Sequence, residues 1–460
     1  MSKTPVKKAY ERPVISRMRS WISSKHGEVS GGSNAGIRYE IEGHNLTELK
    51  EKFGSPLFVY SEKTIIRKYR EAYEAFSQKY SRVQFAWSYK TNYLKSICAV
   101  FHKQGAWAEV VSEFEYDKAL HSGVPGDKII FNGPYKTREA LAKAIVNKSR
   151  IHIDNFEEIA ELESVAAELG QKVSVGIRIN LNCGIYPQWS KFGFNLENGE
   201  AAAAVERLLH EGNLSLEGLH CHIGTFVLDP EAYGRALVKL IDFSKELKQK
   251  HHQQISYFDL GGGFASLSRL KGVYQPPEVV VPEIEQYAES ISRVLNRSFS
   301  ESEKPQLILE TGRHLIDEAG YLISSVAASK MTPDGRRNYI IDAGVNLLYT
   351  STWYNYNVDV NMELRGKQAE PAILSGPLCM NIDVVEEKMM LPRLPKNTLL
   401  TLWPVGAYNV TQSMQFIHCR PAVVMVRESG EVDIIRRKEN MHDIETGEVL
   451  PEDLREPFTS

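Results

Sequence analysis

The 460-residue sequence predicts an α/β fold, a TIM (β/α)8 barrel followed by an all-β C-terminal domain. Three observations carry that expectation. Short β-rich runs alternate with longer segments of helical period from about Gly54 onward. The alternation counts eight strand–helix units over about 240 residues. From about Ile323 the long helical segments stop, and β-rich runs separated by turns take over.

Each element follows in order. Residues 1–45 are polar, with Gly and Ser in "SSKHGEVSGGSNAG", and read as a loose tail ending in a short strand. The basic start lacks the apolar stretch of a secretory signal, and Glu11 with no serine-rich run argues against a transit peptide. The barrel is expected over residues 46–322. Its first strand is Val83–Ser88, followed by Lys90 and the helical "NYLKSICAVFHKQG". Then come "AWAEVV" (106–111), "KIIFN" (128–132), "RIHID" (150–154) and "VSVGIRI" (173–179). "LEGLHCHIG" (216–224), "ISYFDL" (255–260) and "QLILE" (306–310) complete the set. Strands separated by helices must run parallel, because only a crossover returns the chain to the same edge direction. Eight units in this length favour closure over an open doubly wound sheet. Residues 323–460 form the predicted β-domain, with runs such as "PAILSGP", "NTLLTLW" and "AVVMVRE" and an acidic tail over its surface.

Composition narrows the function. Hydrophobic residues make up 42% and charged residues 25%, as in ordinary globular enzymes. A net charge of -3 offers nothing to nucleic acid or an anionic membrane. No apolar run approaches the roughly 20 residues that span a bilayer. Five scattered cysteines without a CxxC pair fit a reducing compartment, so a cytoplasmic protein without disulfides is expected.

The carboxyl ends of barrel strands form the active face. Lys90 ends the first. Gly261, Gly262 and Gly263 follow the seventh, where bare backbone amides suit a phosphate, and Arg313 on the next loop adds a fixed cation. Glu310 ends an apolar strand, where a carboxylate needs a partner. His220 and His222 share one face. They open a zinc reading, but no third or fourth ligand is evident, so no metal is expected. Lysine, anion cradle, buried carboxylate and histidine together suit pyridoxal phosphate. That cofactor needs a Schiff-base lysine, donors for its phosphate and a carboxylate at its ring nitrogen.

With "SYKTN", "AEVVSEFE", "SKFGF", "HCHIGT", "DLGGGF", "ETGR", "GPLCMNID" and "GAYN", the chain resembles the alanine-racemase-type (fold type III) pyridoxal phosphate enzymes. Within them it resembles the amino-acid decarboxylases related to diaminopimelate and ornithine decarboxylase. The resemblance implies that Lys90 binds the cofactor covalently, His222 stacks on its ring and Glu310 bonds its nitrogen. Thr225, Gly261, Gly262, Gly263, Arg313 and Tyr408 are then expected around the phosphate. Cys379 is implied as the proton donor to the substrate carbon, supplied with Asp383 from the second subunit of a homodimer with shared active sites.

The departures from the family pattern concern the substrate. Thr350 and Ser351 stand where diaminopimelate decarboxylases carry Arg-Pro, while Tyr354 keeps the substrate-contacting tyrosine. Met380 stands where they carry glutamate, and where ornithine-type enzymes carry aspartate. Losing the guanidinium removes a bidentate carboxylate clamp. The expectation is a decarboxylase that does not use meso-diaminopimelate but a modified or carrier-linked amino acid of siderophore or antibiotic metabolism, with a carrier protein as possible partner. Thr350, Tyr354, Met380 and Asp383 would line the substrate. Diaminopimelate, lysine or ornithine remain the alternative substrates, and an inactive regulatory binding homologue is the alternative of another class.

Overall fold

The computed structural model of the chain describes residues 33–185, 187–210, 212–364 and 368–454. Most of the predicted N-terminal tail and the last six residues lie outside the described residues. Eight parallel strands close into a barrel. They are β1 (Val83–Ser88), β2 (Trp107–Val110), β3 (Ile129–Phe131), β4 (Arg150–Ile153), β5 (Val173–Asn180), β6 (Leu214–His220), β7 (Tyr257–Asp259) and β8 (Gln306–Thr311). Pairing of β8 with β1, Leu307 against Val83 through Thr311 against Trp87, shuts the ring.

Local chemistry explains the alternation. The strand runs are β-branched or aromatic and buried on both faces, as a barrel wall between side-chain core and helices requires. Polar caps then start the helices. Ser112 accepts from the Glu115 amide, Thr137 from Ala140 and Asn155 from Glu158, so the loop after each of β2, β3 and β4 ends in an N-cap. The helix Phe156–Glu168 buries Ile159, Leu162, Val165 and Ala166 along one stripe. Each large apolar side chain buried this way stabilises the fold by about 1.5–3 kcal/mol.

A second sheet of eleven strands lies beside the barrel. Its long strand, Gly320–Met331, follows β8 after two short helical turns and pairs antiparallel with Arg337–Ile341 and Leu399–Trp403. It also pairs with Leu57–Ser61, a segment that precedes the barrel, and Leu57–Ser61 pairs in parallel with Val423–Val426. The chain therefore contributes to the second sheet before building the barrel, which differs from the expected barrel start at residue 46. All five residues of "LFVYS" are buried. Such a run reads equally well as a barrel strand, because its pattern carries no information about a distant partner.

Candidate active site

The carboxyl ends of the barrel strands bring most of the expected residues together. Lys90 sits on the one-turn helix Tyr89–Thr91 just past β1. Its Nζ donates to Glu109 Oε2 at 2.5 Å, and Glu109 lies buried at the end of β2. Burial disfavours the charged amine, but Glu109, with Tyr408 and Glu310 nearby, outweighs it and holds Lys90 above the usual lysine range. The β-domain clamps this turn from above. The Tyr408 amide donates to Thr91 O at 2.8 Å, and Thr411 Oγ1 donates to Lys90 O at 2.9 Å. Tyr408 adopts the left-handed region, φ 67°, to make that contact.

Two strands round the ring from Lys90 lies the glycine loop after β7. Gly261 has φ +62°, and a Cβ there would lie 2.4 Å from His222 Nδ1; one on Gly262 would lie 2.3 Å from the Glu310 carbonyl oxygen. Only bare backbone fits between these neighbours. The Gly262 amide donates to His222 Nδ1 at 3.1 Å, so the neutral ring carries its proton on Nε2. Burial holds His222 well below the ordinary histidine range, so it stays neutral. Trp189 approaches its ring at 5.0 Å between centroids. Thr225, three residues past His222 on the same loop as Gly224, is exposed.

Arg313 opens the short helix after β8. One guanidinium nitrogen donates to Asp317 Oδ2 at 3.0 Å, and the cation stands over Tyr354 at 4.3 Å and Tyr408 at 5.1 Å. Its Nε is buried without a hydrogen-bond partner among the described residues. A buried donor left open on a guanidinium implies an acceptor from outside the chain.

Glu310 ends β8 and is buried. Its Oε1 accepts from Asn132 Nδ2 at 2.5 Å, and His220 Nε2 stands 3.5 Å from Oε2. Asp259, also buried, lies close by; burial and the Glu310 charge push its carboxyl well above the usual range. Asn132 reaches Glu109 Oε1 at 3.2 Å as well, and His152 bonds the Asn132 oxygen at 2.7 Å. Glu109, Asn132 and His152 were not anticipated. Their signal was present, as polar residues inside the apolar runs "AWAEVV", "KIIFN" and "RIHID".

The donor set fits pyridoxal phosphate. An aldehyde needs the amine of Lys90, a phosphate needs the open Arg313 nitrogen beside a glycine loop with no side chains to keep it out, and a protonated ring nitrogen needs the Glu310 carboxylate. Metal chemistry has a different geometry from the one expected. Among the described residues, His152, His220 and Glu310 bring ligand-type atoms within 4.8 Å of one another, and His222 is not in that group. Both ring nitrogens of His152 are taken, by Asn132 and by Tyr257.

Two expected substrate residues point elsewhere. Thr350 is buried, its Oγ1 held by Tyr356 OH at 2.8 Å and by Asn409 Oδ1 at 3.0 Å. Asp383 is buried too, and its two oxygens accept from the amides of Val345 at 2.8 Å and Leu378 at 2.7 Å. It anchors the loop that carries Cys379. On that loop Cys379 is exposed and Met380 is 37% exposed. Tyr354 does reach the mouth, packed under Arg313.

Comparison with known proteins agrees with this geometry. Residues 62–317 match the family model for the pyridoxal binding domain of pyridoxal-dependent decarboxylases. The diaminopimelate decarboxylase of Methanocaldococcus jannaschii is 32% identical over 432 residues, covering 91% of this chain and 96% of that protein. The enzyme of the same name from Aquifex aeolicus is 31% identical over 412 residues, 87% of this chain and 93% of that one. The crystal structure of the M. jannaschii enzyme in complex with L-lysine matches with a TM-score of 0.82 at 30% identity, covering 92% of this chain and 99% of that chain. Lysine/ornithine decarboxylase from Vibrio vulnificus, 21% identical, shares the fold with a TM-score of 0.71, covering 84% of this chain and 98% of that one. Among the described residues no helix is long and apolar enough to cross a membrane. The chain belongs to the pyridoxal-dependent decarboxylase family and is an amino-acid decarboxylase that works with pyridoxal phosphate.

Proposed function

We propose that this enzyme decarboxylates an amino acid whose far end carries no free carboxylate, a modified or carrier-linked substrate of specialised metabolism, and not meso-diaminopimelate. Thr350 carries the proposal. Its hydroxyl is spent on Tyr356 and Asn409, so this position offers neither a guanidinium nor a free donor to a distal carboxylate. Met380 adds an apolar side chain on the Cys379 loop, where an acidic residue would attract an ammonium group.

Pyridoxal phosphate, when bound, supplies an electron sink for the pair left behind as CO2 departs. The chain's own residues do the rest. Lys90 binds the cofactor and exchanges it with the substrate amine. Gly261, Gly262 and Gly263 leave room for the phosphate beside side-chain-free backbone, and Thr225, Arg313 and Tyr408 help hold it. His222 presents a neutral ring as a flat wall. Glu310 keeps the ring nitrogen's proton in place, and Tyr354 lines the substrate side. Cys379 of a second copy returns a proton to the substrate carbon, which makes the homodimer part of the site. Asp383 holds that cysteine's loop. A carrier protein would dock at the mouth if the substrate arrives as a thioester.

Diaminopimelate itself is the second reading, favoured by relatives of that name that are about one-third identical over nearly the whole chain. CO2 release from meso-diaminopimelate, L-lysine, L-ornithine and carrier-bound or N-acylated diamino acids separates the two. We expect the highest kcat/KM with a substrate whose distal group is masked. Preferred turnover of meso-diaminopimelate would overturn the proposal. A Lys90→Ala protein should lack the visible band of the lysine-bound cofactor.

A further inference from the structure

Asn132 stands between the two carboxylates that serve opposite ends of the cofactor site. Its Nδ2 is 3.2 Å from Glu109 Oε1 and 2.5 Å from Glu310 Oε1. An amide nitrogen has two hydrogens, and here each has a carboxylate oxygen to meet. The oxygen of the amide must therefore face the other way, toward His152 Nδ1 at 2.7 Å. An oxygen cannot donate, so His152 carries its proton on Nδ1. Its Nε2 then accepts from Tyr257 OH at 2.9 Å. Every bond in the series has a fixed direction, from Tyr257 through His152 and Asn132 to both carboxylates. His152, Asn132 and Tyr257 are all buried, and His152 and Tyr257 pack so close to Gly176 that a Cβ there would collide with both. His220 stacks on His152 at 4.7 Å, and Lys136 and Arg150 add positive charge around it. Burial first, then these neighbours, keep His152 neutral, as the one-proton arrangement demands.

We propose that His152 is a positioning residue that locks the Asn132 amide, so that a single NH2 group donates to both Glu109 and Glu310 and holds them at the cofactor. The proposal rests on the placement of Lys90 and Glu310 at the cofactor. Without the His152 proton the Asn132 oxygen loses its donor, so the amide can tilt away and weaken its hydrogen bonds to the two carboxylates. A carboxylate that loses a donor binds protons more tightly. At Glu310 this draws the proton off the ring nitrogen, and at Glu109 it strengthens the pull on the nitrogen of Lys90. Both effects favour a proton on the lysine-bound nitrogen, so its titration midpoint rises.

The test reads that midpoint from the visible absorbance of the purified holoenzyme across pH. An asparagine side chain can place its NH2 where the histidine had Nδ1, whereas a glutamine places its amide where Nε2 was. His152→Asn should keep the wild-type midpoint, while His152→Gln should raise it by about one pH unit or more. His152→Gln should also lower kcat by about tenfold with little change in KM. Asn132→Leu should match His152→Gln, and the double variant should move no further, since His152 acts only through Asn132. Equal midpoints in all variants, or additive shifts in the double variant, would overturn the proposal even if thermal stability fell. If His152→Asn fails to fold, the Asn132→Leu comparison still decides. Absence of a lysine-linked band in the wild type would instead refute the placement of Lys90, a separate failure.

Discussion

Lys90 shows how much one neighbour decides. Without cofactor its amine is held protonated chiefly by Glu109, against the effect of burial. A protonated amine cannot attack an aldehyde, so capture of pyridoxal phosphate depends on releasing that proton. In Glu109→Gln the charge that favours the ammonium is gone and burial prevails, lowering the lysine pKa. Cofactor capture by the apoprotein, followed by stopped-flow absorbance, should then show a pH midpoint lower by about one unit or more. An unchanged profile would mean Glu109 does not govern the amine. Lys90, Glu310, Arg313 and the three glycines were legible in the sequence because each stands where its chemistry has no packing use. Glu109, Asn132 and His152 were hidden inside runs read as buried strand. Asp383 and Thr350 misled for the opposite reason: motif position marked them, yet the oxygens of both are consumed by their own surroundings.

The loops after β3 and β4 form one element at the active face. Lys136 is buried, and its Nζ donates to Gly133 O, His152 O and Glu158 Oε1 at 3.0, 2.9 and 2.6 Å. Glu158 in turn accepts from the Asp154 amide. Helix starts at Thr137 and Asn155 follow from sequence, because caps are local. The Lys136–Glu158 pair does not, since its partners meet only when two barrel units pack together. Lys136→Met leaves Glu158 buried and unpaired, a cost of about 3–5 kcal/mol. Burial already pushes the Glu158 carboxyl up against the pull of Lys136. Removing the lysine raises it further, so the variant folds best with Glu158 protonated. A raised acid favours folding at low pH and loses that contribution as pH rises through the folded value. Chemical denaturation should therefore find a smaller deficit at about pH 5 than at about pH 8. A deficit that does not change with pH would show that Glu158 stays ionised in the variant.

At the scale of the whole molecule, the two layers meet at the mouth of the barrel. After β8 and the short Arg313 helix, Gly320–Met331 enters the second sheet, and Leu57–Ser61 joins the same strand from the other end of the chain. That brings Tyr408 and Thr411 onto the Lys90 turn within one copy. Cys379 is placed differently, exposed on a loop pinned by Asp383. An exposed thiol on a rigid loop is useless to a buried reaction unless another surface covers it. A second copy arranged about a twofold axis would do so reciprocally, each loop entering the other's site. Lys90→Ala and Cys379→Ala would then disable the same site from opposite subunits. Mixed and allowed to exchange, they should form mixed dimers as about half the population, each with one intact site of two. Activity should recover to about a quarter of wild type from near zero in either variant alone. No recovery, with mixed dimers confirmed by tagged purification, would place Cys379 and Lys90 in the same subunit's site and remove the second copy from the chemistry.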